Sequence, residues 1–328
     1  MLRFLIRRVL LAVLTLFAVS VLTFMMFFAL PRDPVTAMCP KNCNAERLER
    51  VRKELGLSDP KIKQYANYMK GIFVGRDLGE AQGGYCPAPC LGYSYVNGEN
   101  VTTTFARVLP VTLSIVIPAA VLWLGLGIGL GMLSALRRGT VFDRLAIGFS
   151  LTGASMQLYF VGAVLMIIFI YDLKILPTPR YVSIFDNPGQ WAATLILPWI
   201  ALAFLFSAIY ARLSRAQMLE TLSEDFVRTA RAKGLPKRTV YGRHALRAAI
   251  TPLVTIAGLD IGGALGGTVI TETTFGLRGL GRTAIDAVRE GDMPTIMATV
   301  LISAAFIVVA NVLVDVLYAL IDPRVRLR

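Results

Sequence analysis

The side chains that could do chemistry inside an apolar environment in this sequence are two aspartates. Asp260 lies deep within one long apolar segment, and Asp315 lies towards the end of another. Ionisable groups in such segments are costly to place and are functional candidates by default. Asp260 is predicted to face an aqueous cavity. Asp315 is predicted to form a mainly structural polar stripe with Asn311 and Tyr318, on one helix face, with water or an arginine as its partner.

Four cysteines form two short motifs. Cys39 and Cys43 lie in CPKNC, and Cys86 and Cys90 lie in CPAPC. An even number of cysteines in an oxidising compartment predicts disulfides, closed either within each motif or between the two. Zinc bound by all four thiolates is a less favoured alternative, and free thiols are the remaining one. The spacing differs from the C-x-x-C of redox catalysts.

Groups that an enzyme or a nucleotide-binding protein would need are missing from the sequence. It contains a single histidine and no G-x-x-x-x-G-K-[ST] motif. The GLGIGLG run lies inside an apolar segment without a preceding strand, which argues against a phosphate-binding role. We therefore predict that the chain is not an enzyme and carries no cofactor or metal of its own.

The elements that hold these residues are apolar segments. The chain of 328 residues is 55% hydrophobic, with a mean hydropathy of +0.61. A helix needs about 20 mostly apolar residues to cross a membrane. Six stretches meet this requirement, at roughly 9–30, 108–136, 145–171, 192–211, 249–271 and 296–321. The sequence predicts an all-α polytopic membrane protein with six transmembrane helices.

Positive charge is unevenly distributed between the connecting segments. With the N-terminus inside, the inside segments carry 18 Lys and Arg against five acidic residues, whereas the outside segments carry 16 against 14. Cations in short loops favour the cytoplasmic side, so we predict a multi-pass protein of the cell (inner) membrane with both termini cytoplasmic. The same rule accounts for the net charge of +13 without nucleic acid as a partner.

The predicted organisation follows from this orientation. Residues 1–30 hold the N-terminal tail and first transmembrane helix, and 31–107 form an extracytoplasmic lobe between helices 1 and 2 that contains the cysteines. Residues 108–321 form the transmembrane core, with a cytoplasmic segment at 212–247, and 322–328 form a cytoplasmic tail.

The segment 212–247 contains the basic passage FVRTARAKGLPKRTVYGRHAL. An apolar helix stripe is predicted by residues that recur every four positions: Met218, Leu222, Phe226 and Ala230. Gly234 is predicted to end that helix, and Pro236 to let a second helix begin. Such a helix–glycine–helix elbow favours docking into a groove on another protein over lying on the membrane surface.

A glycine face is predicted in the fifth apolar segment, where Gly258, Gly262 and Gly266 recur every four residues. A helix face without side chains lets another backbone approach closely. Two alternatives stay open, namely packing within the chain, or a face at a partner subunit or on a substrate path. Gly262 and Gly266 are therefore candidate path residues together with Asp260.

Several motifs resemble the permeases of binding-protein-dependent ABC importers of the oligopeptide and dipeptide type. EDFVRTARAKGL followed by RHALRAAITPLVT resembles the EAA loop of that family, with Arg228-Thr229-Ala230 where the general pattern has Glu-Ala-Ala. MLRFLIRRVL, LPTPRY, LGGTVITETTFGLRGLG and NVLVDVLYALIDPRVR are similar to further signatures of the family. The resemblance covers nearly the whole chain, although Leu277-Arg278 replaces the usual Trp-Pro.

The resemblance implies the fold of a type I ABC importer permease, in which the elbow docks on an ATPase subunit. The implied coupling residues are Phe226, Arg228, Thr229, Ala230, Arg231, Ala232, Lys233, Gly234, Leu235 and Pro236. The loops between Arg278 and Pro294 are implied to lie under a substrate-binding protein.

The implied assembly contains a second homologous permease, two P-loop ATPase subunits and an extracytoplasmic substrate-binding protein, held in the lipid bilayer. ATP and Mg would be bound by the partner subunits. Peptides are the expected substrate, with nickel, glutathione and sugars as alternatives, because a separate binding protein sets specificity in this family.

Two other classes of function have less support in the sequence than this resemblance. An ion-coupled secondary transporter would use Asp260 and Asp315, but such proteins often contain internal repeats, and none is visible in this sequence. A non-transport scaffold has only the unusual outside lobe in its favour.

Overall fold

The computed structural model describes residues 2–29, 59–78, 84–94 and 96–321. Cys39, Cys43 and the predicted tail 322–328 lie outside these ranges. The helices are α1 (Leu2–Ala29), α2 (Lys61–Val74), α3 (Val101–Leu136), α4 (Val141–Ser155), α5 (Leu158–Met166), α6 (Pro188–Ser223), α7 (Asp225–Ala232), α8 (Lys237–Thr239), α9 (Leu246–Leu265), α10 (Val269–Thr274), α11 (Leu280–Glu290) and α12 (Met293–Ile321). Two π-helical segments, Ile167–Asp172 and Val240–Ala245, continue α5 and α8.

The strands are short and form two antiparallel hairpins. They are β1 (Arg76–Asp77), β2 (Tyr85–Cys86), β3 (Tyr93–Ser94) and β4 (Glu99–Asn100), with β1 paired to β2 and β3 to β4. Helices thus form nearly all of the regular structure of the described residues, as the sequence predicts.

Five described helices are long and apolar enough to cross a membrane. They are Ile6–Met26, Val101–Leu136, Pro188–Ser223, Lys237–Leu265 and Met293–Leu317. A sixth candidate span is a pair of helices, Val141–Ser155 and Leu158–Asp172, bent by 100° at the break between them. The third predicted span is therefore not one straight helix. Met156 and Gln157 have extended backbone, with ψ of 145° and 141°, so α4 ends there and α5 begins in a new direction.

The main core of the bundle lies between α3 and α6. Large side chains from both helices are fully buried in it: Ile115, Trp123, Leu195 and Tyr210. A Cβ added at Gly127 of α3 would lie 2.6 Å from the Cβ of Tyr210, so glycine is what permits this close approach. The hydroxyl of Ser214 in α6 donates to the carbonyl of Gly127 at 3.2 Å.

The glycine face of α9 packs against α12. A Cβ at Gly262 would lie 2.8 Å from the Cβ of Ala310, and one at Gly266 would lie 3.1 Å from the Cβ of Ser303. Gly258 faces Val314 on the same side. The glycine face of α9 is therefore used for packing within the chain, the first of the two alternatives. This corrects the placement of Gly262 and Gly266 on a substrate path. Of the three path candidates, Asp260 alone lies away from the α12 interface.

The two hairpins lie within the predicted segment 31–107, beside the beginnings of α3 and α12. The described residues from 76 to 100 are called the lobe from here on. Cys86 and Cys90 form a disulfide within their own motif, which confirms the locally closed alternative for this pair. Zinc bound by all four cysteine thiolates is therefore wrong. The hydroxyl of Ser94 donates to the carboxylate of Asp292 at 2.5 Å, and because Asp292 directly precedes α12, this bond attaches the lobe to that helix.

The substitution Gly127→Ala is expected to lower the free energy of unfolding by about 1–3 kcal/mol, because the new methyl group overlaps Tyr210 and the carbonyl of Ser207. Gly125→Ala is the matched control, since a Cβ at Gly125 meets nothing within 4 Å. Thermal unfolding of both variants in one detergent should give a lower Tm for Gly127→Ala alone. Equal Tm values would contradict the close packing of α3 on α6.

Candidate functional site

A sharp elbow joins α6 to α9 and corresponds to the basic passage of the sequence. Glu224, between α6 and α7, has extended backbone with φ of −66° and ψ of 147°. Gly234 follows α7 with φ of +74°, a left-handed conformation that favours glycine. Pro236, with φ of −62°, then precedes α8. The predicted helix–glycine–helix shape is confirmed, and residues 224–245 are called the elbow below.

Two apolar side chains of α7 fix the elbow to the bundle. Val227 is 0% exposed, and Ala230 is also buried. They belong to one apolar cluster with Met132 of α3 and Met218 of α6. Because α3 begins at Val101 beside the lobe and reaches this cluster near its other end, the elbow and the lobe lie at opposite ends of α3.

The predicted apolar stripe is wrong at Phe226. The helix breaks at Glu224, so the four-residue spacing that passes through Met218 does not continue into α7. Val227 occupies the buried position instead, and Phe226 is 45% exposed. The phenyl ring therefore lies on the outer face of the elbow.

The outer face of the elbow contains nine of the ten predicted coupling residues, whereas Ala230 is buried. The nine exposed residues are Phe226, Arg228, Thr229, Arg231, Ala232, Lys233, Gly234, Leu235 and Pro236. Two exposed apolar side chains, Phe226 and Leu235, thus lie on the same face as the cations Arg228, Arg231 and Lys233. Such a face suits a protein surface that has an apolar pocket and acidic residues.

A buried ion pair near the elbow was not predicted from the sequence. The guanidinium of Arg215 in α6 donates to both carboxylate oxygens of Asp143 in α4, at 2.7 and 3.0 Å. Ser134 of α3 donates to the same carboxylate at 2.5 Å, and the backbone N–H of Gly139 donates at 2.9 Å. The cluster ties α3, α4 and α6 together. Its only sequence signal is that Asp143 is the one acid in a short segment of cations.

The two intramembrane aspartates bind different elements and do not form one site. The carboxylate of Asp260 accepts a hydrogen bond of 2.7 Å from the hydroxyl of Tyr210 in α6. Asp315 forms an ion pair of 3.0 Å with Arg8 of α1, so its partner is an arginine, one of the two predicted possibilities. Asn311 is exposed on the same helix. Tyr318 also lies in α12, but its side chain is outside the described part of the structure.

A buried carboxylate organises the end of the bundle near the lobe. Glu272 of α10 accepts from the backbone N–H of Arg282 at 2.7 Å and from the hydroxyl of Thr112 at 2.8 Å. Thr112 in turn accepts from the backbone N–H of Leu280 at 2.8 Å. The two side chains thus satisfy free N–H groups in the first turn of α11. Burial raises the pKa of the Glu272 carboxyl, and these donors oppose that rise.

The family of this chain is shown by its similarity to known proteins. The chain belongs to the binding-protein-dependent transport system inner membrane component family, whose model matches residues 127–327. A second model, for the N-terminal part of the membrane component of such systems, matches residues 1–116. The resemblance found in the sequence motifs is confirmed.

Two relatives match over nearly their full length. The dipeptide transport system permease protein DppB of Escherichia coli (strain K12) is 35% identical over a gapped alignment of 350 positions, which covers 99% of each chain. A probable peptide ABC transporter permease protein of Sinorhizobium fredii is 31% identical over 323 residues, which cover 98% of this chain and 99% of the relative.

The substitution Asp143→Asn is expected to lower the free energy of unfolding by about 2–4 kcal/mol, because it leaves the mostly buried guanidinium of Arg215 without its counter-charge. Asp59→Asn is the matched control, because Asp59 pairs with Lys63 at an exposed position, where the loss should stay below about 1 kcal/mol. Denaturant titration of the purified variants measures both values. Similar values for the two variants would refute the stabilising role of the Asp143 cluster.

Proposed function

We propose that this chain is a transmembrane permease subunit of an ATP-driven importer of peptides and forms half of its translocation pathway. Membership of the family supports the importer class, and the names of the two relatives, which refer to dipeptide and peptide transport, support the substrate. The observation that carries the proposal is the elbow. Val227 and Ala230 pack the elbow against the helix bundle, and its exposed face carries Phe226, Leu235 and several cations.

The proposed assembly consists of this chain, a second homologous permease, two P-loop ATPase subunits and an extracytoplasmic substrate-binding protein in the cell membrane. ATP and Mg belong to the ATPase subunits, and this chain transmits their motion rather than hydrolysing ATP. The concentration of Lys and Arg in the segments around the elbow supports a cytoplasmic elbow and cytoplasmic termini. The lobe and the residues from Arg278 to Pro294 then face the binding protein.

The other functions considered have weaker support. Asp315 is already neutralised by Arg8, so it is a poor site for a coupling ion. Nickel, glutathione and sugars have no observation in their favour, whereas the names of both relatives refer to peptides.

The experiment that tests this function is purification of the tagged chain from its native membrane in mild detergent, with identification of the co-purifying proteins. We expect a second permease of similar length, P-loop ATPase subunits and a binding protein, and we expect the ligand of that binding protein to be a peptide. Isolation of the chain alone, together with solute uptake that needs no ATP, would contradict the proposal.

The substitution Phe226→Ala is expected to weaken binding of the ATPase subunits by about tenfold or more, as the loss of a central aromatic contact does at other interfaces. The stability of the chain itself should not change, because the ring is already partly exposed. Val227→Ala is the contrasting variant, since it removes a buried side chain and should lower the free energy of unfolding by about 1–3 kcal/mol. ATPase co-purification and Tm are measured for both. Wild-type retention of the ATPase by Phe226→Ala would contradict the coupling role.

A further inference from the structure

Two sides of α9 pack against other helices of the chain, and a third side is open. Gly258 and Gly262 pack on α12. Leu253 and Ala257 are buried in the apolar clusters that include residues of α3 and α6. On the remaining side, Leu259 is 50% exposed, and a Cβ added at Gly263 would meet nothing within 4 Å. Because residues three and four apart share a helix face, this open side adjoins Asp260.

The carboxylate of Asp260 is held at the edge of this open side by Tyr210. The tyrosine is 0% exposed, and its Cβ fits against Gly127, so the position of its hydroxyl is fixed by packing. The hydroxyl donates to Oδ2 of Asp260 at 2.7 Å. Within the described ranges of the chain, no Lys, Arg or His forms an ion pair with Asp260.

A charged carboxylate with one hydrogen bond is poorly matched to hydrocarbon, so the open side must provide water or a cation. Gly263 leaves room one helical turn away, which a small ligand can occupy. The free N-terminus of a peptide is a suitable cation, because an α-amino group with a pKa of about 7.7–8.0 is largely protonated at neutral pH and carries N–H donors.

We propose that Asp260, oriented by Tyr210, is a transient binding subsite for the α-ammonium group of the transported peptide. This inference rests on the proposed function, and it adds the residue that recognises the substrate within the membrane. Tyr210 is a positioning residue, because it acts through the carboxylate. Leu259 and Gly263 provide the apolar, open surface beside the ammonium group.

The test uses the complete permease–ATPase complex without its binding protein, so that selection by that protein does not enter. Equilibrium binding is measured with two radiolabelled probes, the dipeptide Gly-Leu and its N-acetylated form, which lacks the ammonium group. We expect the wild-type complex to bind Gly-Leu at least about tenfold more tightly, as expected for a hydrogen bond between charged groups. Asp260→Asn should abolish this preference, Tyr210→Phe should reduce it, and Asp260→Glu should retain most of it.

Asp315→Asn is the matched control, because it neutralises an intramembrane aspartate that already has Arg8 as its partner. It should keep the preference for Gly-Leu. In proteoliposomes with the binding protein, Asp260→Asn should also lower the number of peptides moved per ATP hydrolysed, while the binding protein still stimulates ATP hydrolysis.

Two outcomes would overturn this inference alone. One is an unchanged preference for Gly-Leu in Asp260→Asn. The other is loss of the second permease from the purified Asp260→Asn complex, which would show that the carboxylate pairs with a cation of that subunit. If the wild-type complex itself shows no ATP-driven peptide uptake, the proposed function fails, and the subsite fails with it.

Discussion

The close approach of α3 to α6 is the contact on which the rest of the described structure depends. Apolar burial drives helix association only weakly in lipid, so tight packing and hydrogen bonds between helices must hold a membrane bundle together. Gly127 and Gly131 of α3 make both the tight packing and a hydrogen bond between the helices possible. The missing side chains let α6 approach, and Ser214 of α6 then donates to a backbone carbonyl of α3. The same approach fixes Tyr210, which in turn orients Asp260.

Buried carboxylates connect this helix pair to its neighbours at both ends. Near the elbow, Asp143 of α4 binds Arg215 of α6 and Ser134 of α3. Near the lobe, Glu272 binds Thr112 of α3 and the first turn of α11. Each carboxylate has donors from more than one element, which compensates the cost of burying its charge and fixes the relative positions of those elements.

The sequence predicts the parts of this structure that depend on composition and on local backbone chemistry. Apolar blocks locate the membrane-spanning helices, and Gly234 and Pro236 locate the elbow. The bend between α4 and α5 was not predicted, because Met156 and Gln157 interrupt a helix without a proline or a marked change in hydropathy. The exposure of Phe226 was missed because a periodic pattern assumes an unbroken helix, and Glu224 breaks it. Partners distant in sequence, such as Arg215 for Asp143, leave no local signal.

The packing of the elbow limits how a partner's motion can reach the membrane. Val227 and Ala230 contact a cluster built from α3, α6 and α9, so a displacement of the elbow must either carry these three helices together or break that cluster. The glycine contact and the Asp143 ion pair favour movement of the helices as a unit, because close-packed interfaces resist gradual deformation. Tyr210 belongs to the α3–α6 pair, and Asp260 lies on α9, which packs both on that pair and on α12. Only a motion that breaks the contacts of α9 with the α3–α6 pair would change the distance between the Tyr210 hydroxyl and the Asp260 carboxylate, and such a motion would weaken the proposed binding of an ammonium group.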